Sequence, residues 1–251
     1  MNKRMKYCVA NLKMNLFGDN VKNYILEIDK SFYKSVNKKL KTIIFPSIPS
    51  LKDFHINIKN DNYLLGAQNI HHKEYGSFTG EVSINMISQL IEYVLIGHSE
   101  RRQYFFEGNE LINKKIRNVI NHQLKPILCI GESFDERKNN NTEEILNKQL
   151  TVALNNINEN LIIAYEPVWA IGTGETASSK IVKETHSLIR SILNDIGFDG
   201  EKISILYGGS VNRNNAKELI ALNDVDGFLI GGASLDVKHF YDIYNFIEES
   251  N

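Results

Sequence analysis

The sequence has little cysteine, no excess charge of either sign and no long hydrophobic run. Only two cysteines, Cys8 and Cys129, occur in 251 residues, each inside an apolar stretch. That excludes a disulfide framework and points to reduced, buried thiols in a cytosolic protein. Basic and acidic residues nearly cancel, 29 against 30. No global field therefore recruits nucleic acid or an anionic membrane, and any anion must be caught locally by a few side chains and backbone amides. No segment is long enough to cross a bilayer. The start, Met1 to Lys6, has the charge of a signal peptide, but the apolar stretch behind it breaks at Asn11 and Lys13, too soon for the hydrophobic part of one. Several motifs are missing as well. There is no H-E-x-x-H or C-x-x-C spacing, so no metal site is expected; the adjacent His71 and His72 point in different directions on most backbones and read as surface or interface histidines. Without a G-x-S-x-G elbow a serine nucleophile is poorly supported. Without a glycine-rich loop ending in Lys-Ser/Thr a nucleoside triphosphate is not the expected ligand.

What is present is a rhythm. Eight short apolar runs recur: Tyr7–Ala10, Thr42–Phe45, Tyr63–Ala67, Tyr93–Ile96, Pro126–Ile130, Leu161–Tyr165, Ile203–Tyr207 and Phe228–Ile230. Stretches long enough for helices separate most of them. Ile112, Ile116, Val119 and Ile120 share one helical face, as do Ile181, Thr185, Leu188, Ile189 and Ile192. Thr142 with Glu143 and Glu144 opens a further helix, and Ser178 or Ser179 is placed to cap the helix containing Ile181. Alternating strands and helices predict a parallel sheet with right-handed crossovers. Eight such units across 251 residues match a single α/β domain, a (β/α)8 barrel over residues 1–251. The structural rival is a doubly wound sheet. No linker or repeat divides the chain, and the run Asn139–Asn141 reads as a solvated turn.

The richest stretch runs from Ala164 to Ala177, AYEPVWAIGTGETA. An apolar strand ends on a carboxylate, Glu166, and Pro167 holds that residue extended. An apolar patch follows (Val168, Trp169, Ala170, Ile171), then Gly172, Thr173 and Gly174. The segment alone leaves two readings open: a catalytic base beneath a water-excluding lid, or a strand-end acid followed by a docked loop. Other strand ends add to it. The first carries Asn11 and Lys13; the fourth carries His98, Glu100, Arg101 and Arg102; the seventh and eighth end on Gly208-Gly209-Ser210 and Gly231-Gly232. Taken singly, Lys13 is a solvated lysine, His98 a satisfied strand-end histidine, and Glu100 to Arg102 a charged first helical turn. Together they share the rim where barrel enzymes place their chemistry. Glycine turns after the last two strands can present backbone N–H groups to a phosphate.

The segments NLKMN (Asn11–Asn15), GAQN (Gly66–Asn69), GSFTGEVS (Gly76–Ser83), IGHSERR (Ile96–Arg102), AYEPVWAIGTG (Ala164–Gly174), YGGSV (Tyr207–Val211) and GGASL (Gly231–Leu235) closely resemble the triosephosphate isomerase family, in the same order and over essentially the whole chain. The resemblance implies a TIM barrel that interconverts dihydroxyacetone phosphate and glyceraldehyde 3-phosphate in glycolysis and gluconeogenesis. It makes Glu166 the base and His98 a neutral electrophile, with Asn11 as hydrogen-bond donor, Lys13 as positive charge and Glu100 as a supporting acid. The acid–base pair and the lid are familiar features of that family and are carried over with it. The phosphate would rest on the amides of Gly172, Ser210, Gly231 and Gly232, beneath a lid from Pro167 to Gly174, with no metal or organic cofactor. The family's homodimer would place Thr79 against the partner's Asn11, with Tyr75 and Phe78 adding contact area. Three departures stand out: Leu12 where tryptophan is common, Ser77 where alanine is usual, and Glu175 where lysine is common, the last expected to alter lid opening. A non-catalytic sugar-phosphate binder should lack Asn11, Lys13, His98 or Glu166, and another phosphosugar enzyme should change the His98–Glu166 pair or the lid.

Overall fold

Eight strands, β1 (Lys6–Asn11), β2 (Leu40–Phe45), β3 (Leu64–Ala67), β4 (Tyr93–Ile96), β5 (Lys125–Ile130), β6 (Ile162–Tyr165), β7 (Ile205–Tyr207) and β8 (Gly227–Ile230), pair in parallel in chain order, and β8 returns to β1 to close a barrel. The fold is that of a computed structural model, which describes residues 4–33, 39–58, 62–159, 161–171 and 176–250. Around the strands lie α1 (Asp19–Phe32), α2 (Ile48–Asn57), α3 (Ile84–Ile87), α4 (Ser99–Tyr104), α5 (Asn109–Asn121), α6 (Phe134–Lys138), α7 (Thr142–Ala153), α8 (Ser179–Asp195), α9 (Ala216–Ile220) and α10 (Val237–Glu249). The apolar runs thus mark the strands to within a residue or two. β7 starts later than its run because the Ile203 carbonyl accepts from Arg190 Nη1.

Side chains on a strand alternate between faces. Tyr7 and Val9 of β1, Ile162 and Ala164 of β6, Leu206 of β7 and Leu229 of β8 fill the barrel interior. Their neighbours Cys8, Ala10, Ile163, Tyr165, Ile205 and Ile230 face the helices. Continuing the inward parity reaches Asn11 at the end of β1, and Glu166, Gly208 and Gly231 just past the ends of β6, β7 and β8. The barrel's own periodicity therefore aims these positions at one spot. Both cysteines are free and buried, and Leu12 is buried in the outer core.

The helices follow local rules. In α5, Ile112, Ile116 and Val119 are buried on one face. The Ser178 hydroxyl caps α8 by accepting from Ile181 N–H at 3.3 Å. α6 opens with a reciprocal capping box between Ser133 and Glu136. No helix among the described residues is long and apolar enough to cross a membrane.

His186 on α8 gives a test of the core. It is fully buried, packs edge-on to Tyr165 with ring centroids 5.8 Å apart, and donates through Nδ1 to the Asp224 carbonyl at 2.8 Å. Burial pushes its proton affinity down to about 4. Folded and unfolded chains are both neutral here above the ordinary histidine value. Below it the unfolded chain takes the proton first, so stability is lost as pH falls and the loss levels off below about 4. Between these limits His186 is expected to remove about 3 kcal/mol. Urea midpoints measured from pH 7.5 downward should show this slope, and His186→Gln should flatten it.

Candidate active site

At the C-terminal mouth of the barrel lies a pocket of about 220 Å³, lined by Asn11, Lys13, His98, Glu166, Ile171 and the glycine turns after β7 and β8. Glu166 follows β6 and is 2% exposed. Its Oε2 accepts from the Ser99 N–H at 2.8 Å, and its Oε1 lies 3.0 Å from His98 Nε2. Gly208 makes room for it, since a Cβ there would approach Glu166 Cγ to 3.0 Å. Burial opposes a charged Glu166, but His98, the Ser99 amide and Lys13 outweigh it and hold the carboxyl below its ordinary range.

His98 sits at the N-terminus of α4, where the Glu100 N–H donates to its Nδ1 at 3.2 Å. Burial disfavours a charged ring, while Glu166 and Glu100 pull the other way and lift its proton affinity. A second proton would have to occupy Nδ1, which already accepts from that amide. The geometry fixes the neutral tautomer, with Nε2–H donating to Glu166.

Lys13 reaches the site from the loop after β1 with a left-handed backbone, φ 52°. For a side chain of this size that conformation is a local strain. Two contacts hold it: Lys13 N donates to Asn11 Oδ1 at 3.1 Å, and Gln68 Nε2 donates to the Lys13 carbonyl at 2.9 Å. Its ammonium pairs with Glu100 Oε1 at 2.6 Å. Asn11 is buried beside it, with Oδ1 engaged and its amide NH2 left to the pocket.

Pro167 is buried, and Val168–Ala170 forms a 3-10 turn. This end of the predicted lid rests on Glu132, a fully buried carboxylate after β5. Glu132 Oε1 accepts from Arg137 at 2.8 Å, Tyr165 OH at 3.0 Å and Trp169 Nε1 at 3.1 Å, and its carbonyl accepts from Val168 N–H. Gly172, Thr173, Gly174 and Glu175 lie outside the described residues. Ser210 is at the pocket, yet its N–H and its hydroxyl both donate to the Ala170 carbonyl, at 3.0 and 2.9 Å. Gly231 and Gly232 line the same wall. A Cβ at Gly231 would press on Lys13 Cε at 3.3 Å, and at Gly232 it would meet only open space.

Sequence reasoning missed Glu132 and gave no individual role to Gln68 or Tyr207, which lie inside the GAQN and YGGSV segments. The signal that Glu132 left is its place as the acid directly after a strand-ending glycine. One expectation is corrected: the rings of His71 and His72 do not diverge. They lie 4.4 Å apart, and His71 packs at a tilt against Phe78 at 4.1 Å because the loop folds back on itself. Tyr75 and Thr79 are exposed, at 84% for Tyr75, and Phe78 is 41% exposed. Among the described residues no three His, Cys, Asp or Glu side chains gather as a metal ion would require.

A closed parallel barrel with an imidazole–carboxylate pair and an ammonium at its C-terminal mouth places the molecule among the (β/α)8-barrel acid–base enzymes. Known proteins narrow the class. A family model described as triosephosphate isomerase matches residues 6–247. Proteins named triosephosphate isomerase are 40% identical in Alkaliphilus oremlandii, over 97% of this chain and 100% of the relative. In Finegoldia magna the identity is 40%, over 97% and 99%. In Clostridium tetani it is 45%, over 80% and 81%. The chain belongs to the triosephosphate isomerase family.

Proposed function

We propose that this chain, as one (β/α)8 catalytic domain, reversibly interconverts dihydroxyacetone phosphate and D-glyceraldehyde 3-phosphate. The observation that carries this reading is the 3.0 Å contact between His98 Nε2 and Glu166 Oε1 at the wall of a pocket that also holds Lys13. Moving a carbonyl by one carbon requires removing a proton beside it and returning one to the neighbouring carbon. A single carboxylate facing both carbons does both, and Glu166 has that role. The enediolate between the steps carries its charge on oxygen, where His98 Nε2–H, the Asn11 amide and the Lys13 ammonium stabilise it. Glu100 orients Lys13 through their ion pair. These proton transfers need no metal or organic cofactor.

The phosphate is held by the amides of Ser210, Gly231 and Gly232, with Gly172 completing the set. Because Ser210 N–H is bonded to the Ala170 carbonyl, phosphate binding at Ser210 exchanges one acceptor for another and so couples to movement of Val168–Gly174. That closure keeps water from an intermediate prone to lose phosphate. The protein works in the cytoplasm, a reading supported by its two buried free thiols. Conversion of glyceraldehyde 3-phosphate, followed as dihydroxyacetone phosphate through a coupled dehydrogenase, tests the reaction. A folded protein that binds triose phosphate and converts none would instead be a sugar-phosphate-binding barrel.

The working form is a homodimer. A groove of about 350 Å³ between Met14, Gln68, Glu81 and Phe105 opens beside Asn11 and Lys13, and it is the place for Thr79 of the second copy. Exposed Phe17, Tyr75 and Phe106 near these loops are apolar surface that association would cover. Sedimentation should show a dimer, and Tyr75→Asp with Phe78→Asp should yield monomers of much lower activity. A monomeric, fully active wild type would refute the dimer.

A further inference from the structure

Arg102, on the first turns of α4, takes no direct part in the proposed chemistry, yet it is tied to three different elements. Its Nε donates to the Gly97 carbonyl at 2.8 Å, its Nη1 to Asn109 Oδ1 at 2.7 Å, and its Nη2 to the Cys129 carbonyl at 2.9 Å. These acceptors are the end of β4, the start of α5 and the end of β5. Gly97 leaves the space that both neighbours occupy: its φ is +70°, and a Cβ there would meet Ile112 Cδ1 at 2.9 Å and Arg102 Nη2 at 3.1 Å. No carboxylate lies within ion-pair distance of Arg102 among the described residues. Glu107, an acid in its surroundings, is already engaged by Arg101 and Lys115.

The same short helix supplies the two amides that fix the reacting pair. Ser99 N–H holds Glu166 Oε2 at 2.8 Å, and Glu100 N–H holds His98 Nδ1 at 3.2 Å. Any shift of α4 against β4 and β5 therefore moves the base and the imidazole together. We propose that Arg102 is a positioning residue, whose three anchors set α4 so that the Ser99 and Glu100 amides hold Glu166 and His98 in their reactive geometry. The groups facing Glu166 are Lys13 from the loop after β1, His98 at the start of α4 and the Cys129 thiol on β5, with Glu100 acting through His98.

The inference rests on the isomerase reading, and the test separates the two. Arg102→Met, Arg102→Lys and Asn109→Ala are compared with wild type for kcat, KM, the pH profile of kcat/KM, and the nitrogen NMR titration of His98 without substrate. Misplacing reacting groups by an ångström costs up to about a hundredfold, so Arg102→Met should lower kcat at least about thirtyfold while KM stays within about threefold. Its acid limb should move upward and the His98 titration should shift. Arg102→Lys should restore only part of kcat, because one ammonium cannot span three acceptors. Asn109→Ala, which removes a single anchor, should lose about threefold in kcat. Folded Arg102→Met and Arg102→Lys with wild-type kcat, a rise in KM alone, or a loss that merely tracks the folded fraction would overturn the proposal. An inactive wild type would defeat the isomerase reading. The His98 titration would then decide on Arg102 alone: a shift in Arg102→Met upholds it, and an unchanged titration overturns it.

Discussion

Glu166→Gln is expected to lower kcat about a thousandfold or more with little change in KM, because it deletes the carboxylate that meets the imidazole Nε2 at 3.0 Å. The amide matches the carboxylate in size, so the fold should survive the change at this 2% exposed position. One amide oxygen can still accept from Ser99 N–H. The amide NH2 would then face the Nε2–H of His98, donor against donor, where the two groups now meet at 3.0 Å. His98 could escape only by moving its proton to Nδ1, against the Glu100 N–H. The substitution thus removes the proposed base and disturbs the imidazole proposed as its electrophilic partner. Steady-state kinetics with circular dichroism check this, and activity within tenfold of wild type would move the role of base elsewhere. In the wild type the acid limb belonging to Glu166 should fall below the ordinary carboxylate range, because His98, Ser99 N–H and Lys13 outweigh the burial that opposes its charge. The linked stability has the same sign: it is present above the unfolded value and lost as pH falls through the lower folded value.

Lys13→Met is expected to lower kcat about 10²–10³-fold, the usual cost of removing one preorganised stabiliser of developing negative charge. KM should also rise, by about tenfold, since a charge-assisted contact to a dianion is lost. Lys13 is the only lysine or arginine among the described residues lining the pocket, so no neighbour takes over. Glu100 would be left without its 2.6 Å partner and would set a negative charge beside the site. The ammonium is partly exposed, so the fold should tolerate the change while function does not. An unchanged KM together with an unchanged kcat would remove Lys13 from the site.

The fold was legible because apolar runs of strand length recur with helical stretches between them. A period of two then carries inward parity from Ile162 and Ala164 to Glu166, and from Tyr7 and Val9 to Asn11. The glycine turns after β7 and β8 were legible for a related reason, as glycine there leaves space that a side chain would fill. Contacts between distant segments were not legible. Glu132 supports Trp169 from 37 positions away, and Ser210 gives its N–H to Ala170 from 40 positions away. No local pattern encodes either bond; both arise only when the barrel brings the ends of β5, β6 and β7 side by side. The paired rings of His71 and His72 were misjudged for the converse reason, because Phe78 in the folded loop decides their direction.

The chain contains a single tryptophan, and it is Trp169. Its indole N–H is held by the Glu132 carboxylate at 3.1 Å, and the Arg137 guanidinium lies 5.7 Å from the ring centre. All indole emission from the molecule therefore originates at the foot of the proposed lid, beside the Glu132 carboxylate and the Arg137 guanidinium. Displacement of the ring alters the field across it and with it the colour and lifetime of its light. Stopped-flow fluorescence, excited beyond the absorption of the eleven tyrosines, can follow that segment in the unlabelled wild-type protein.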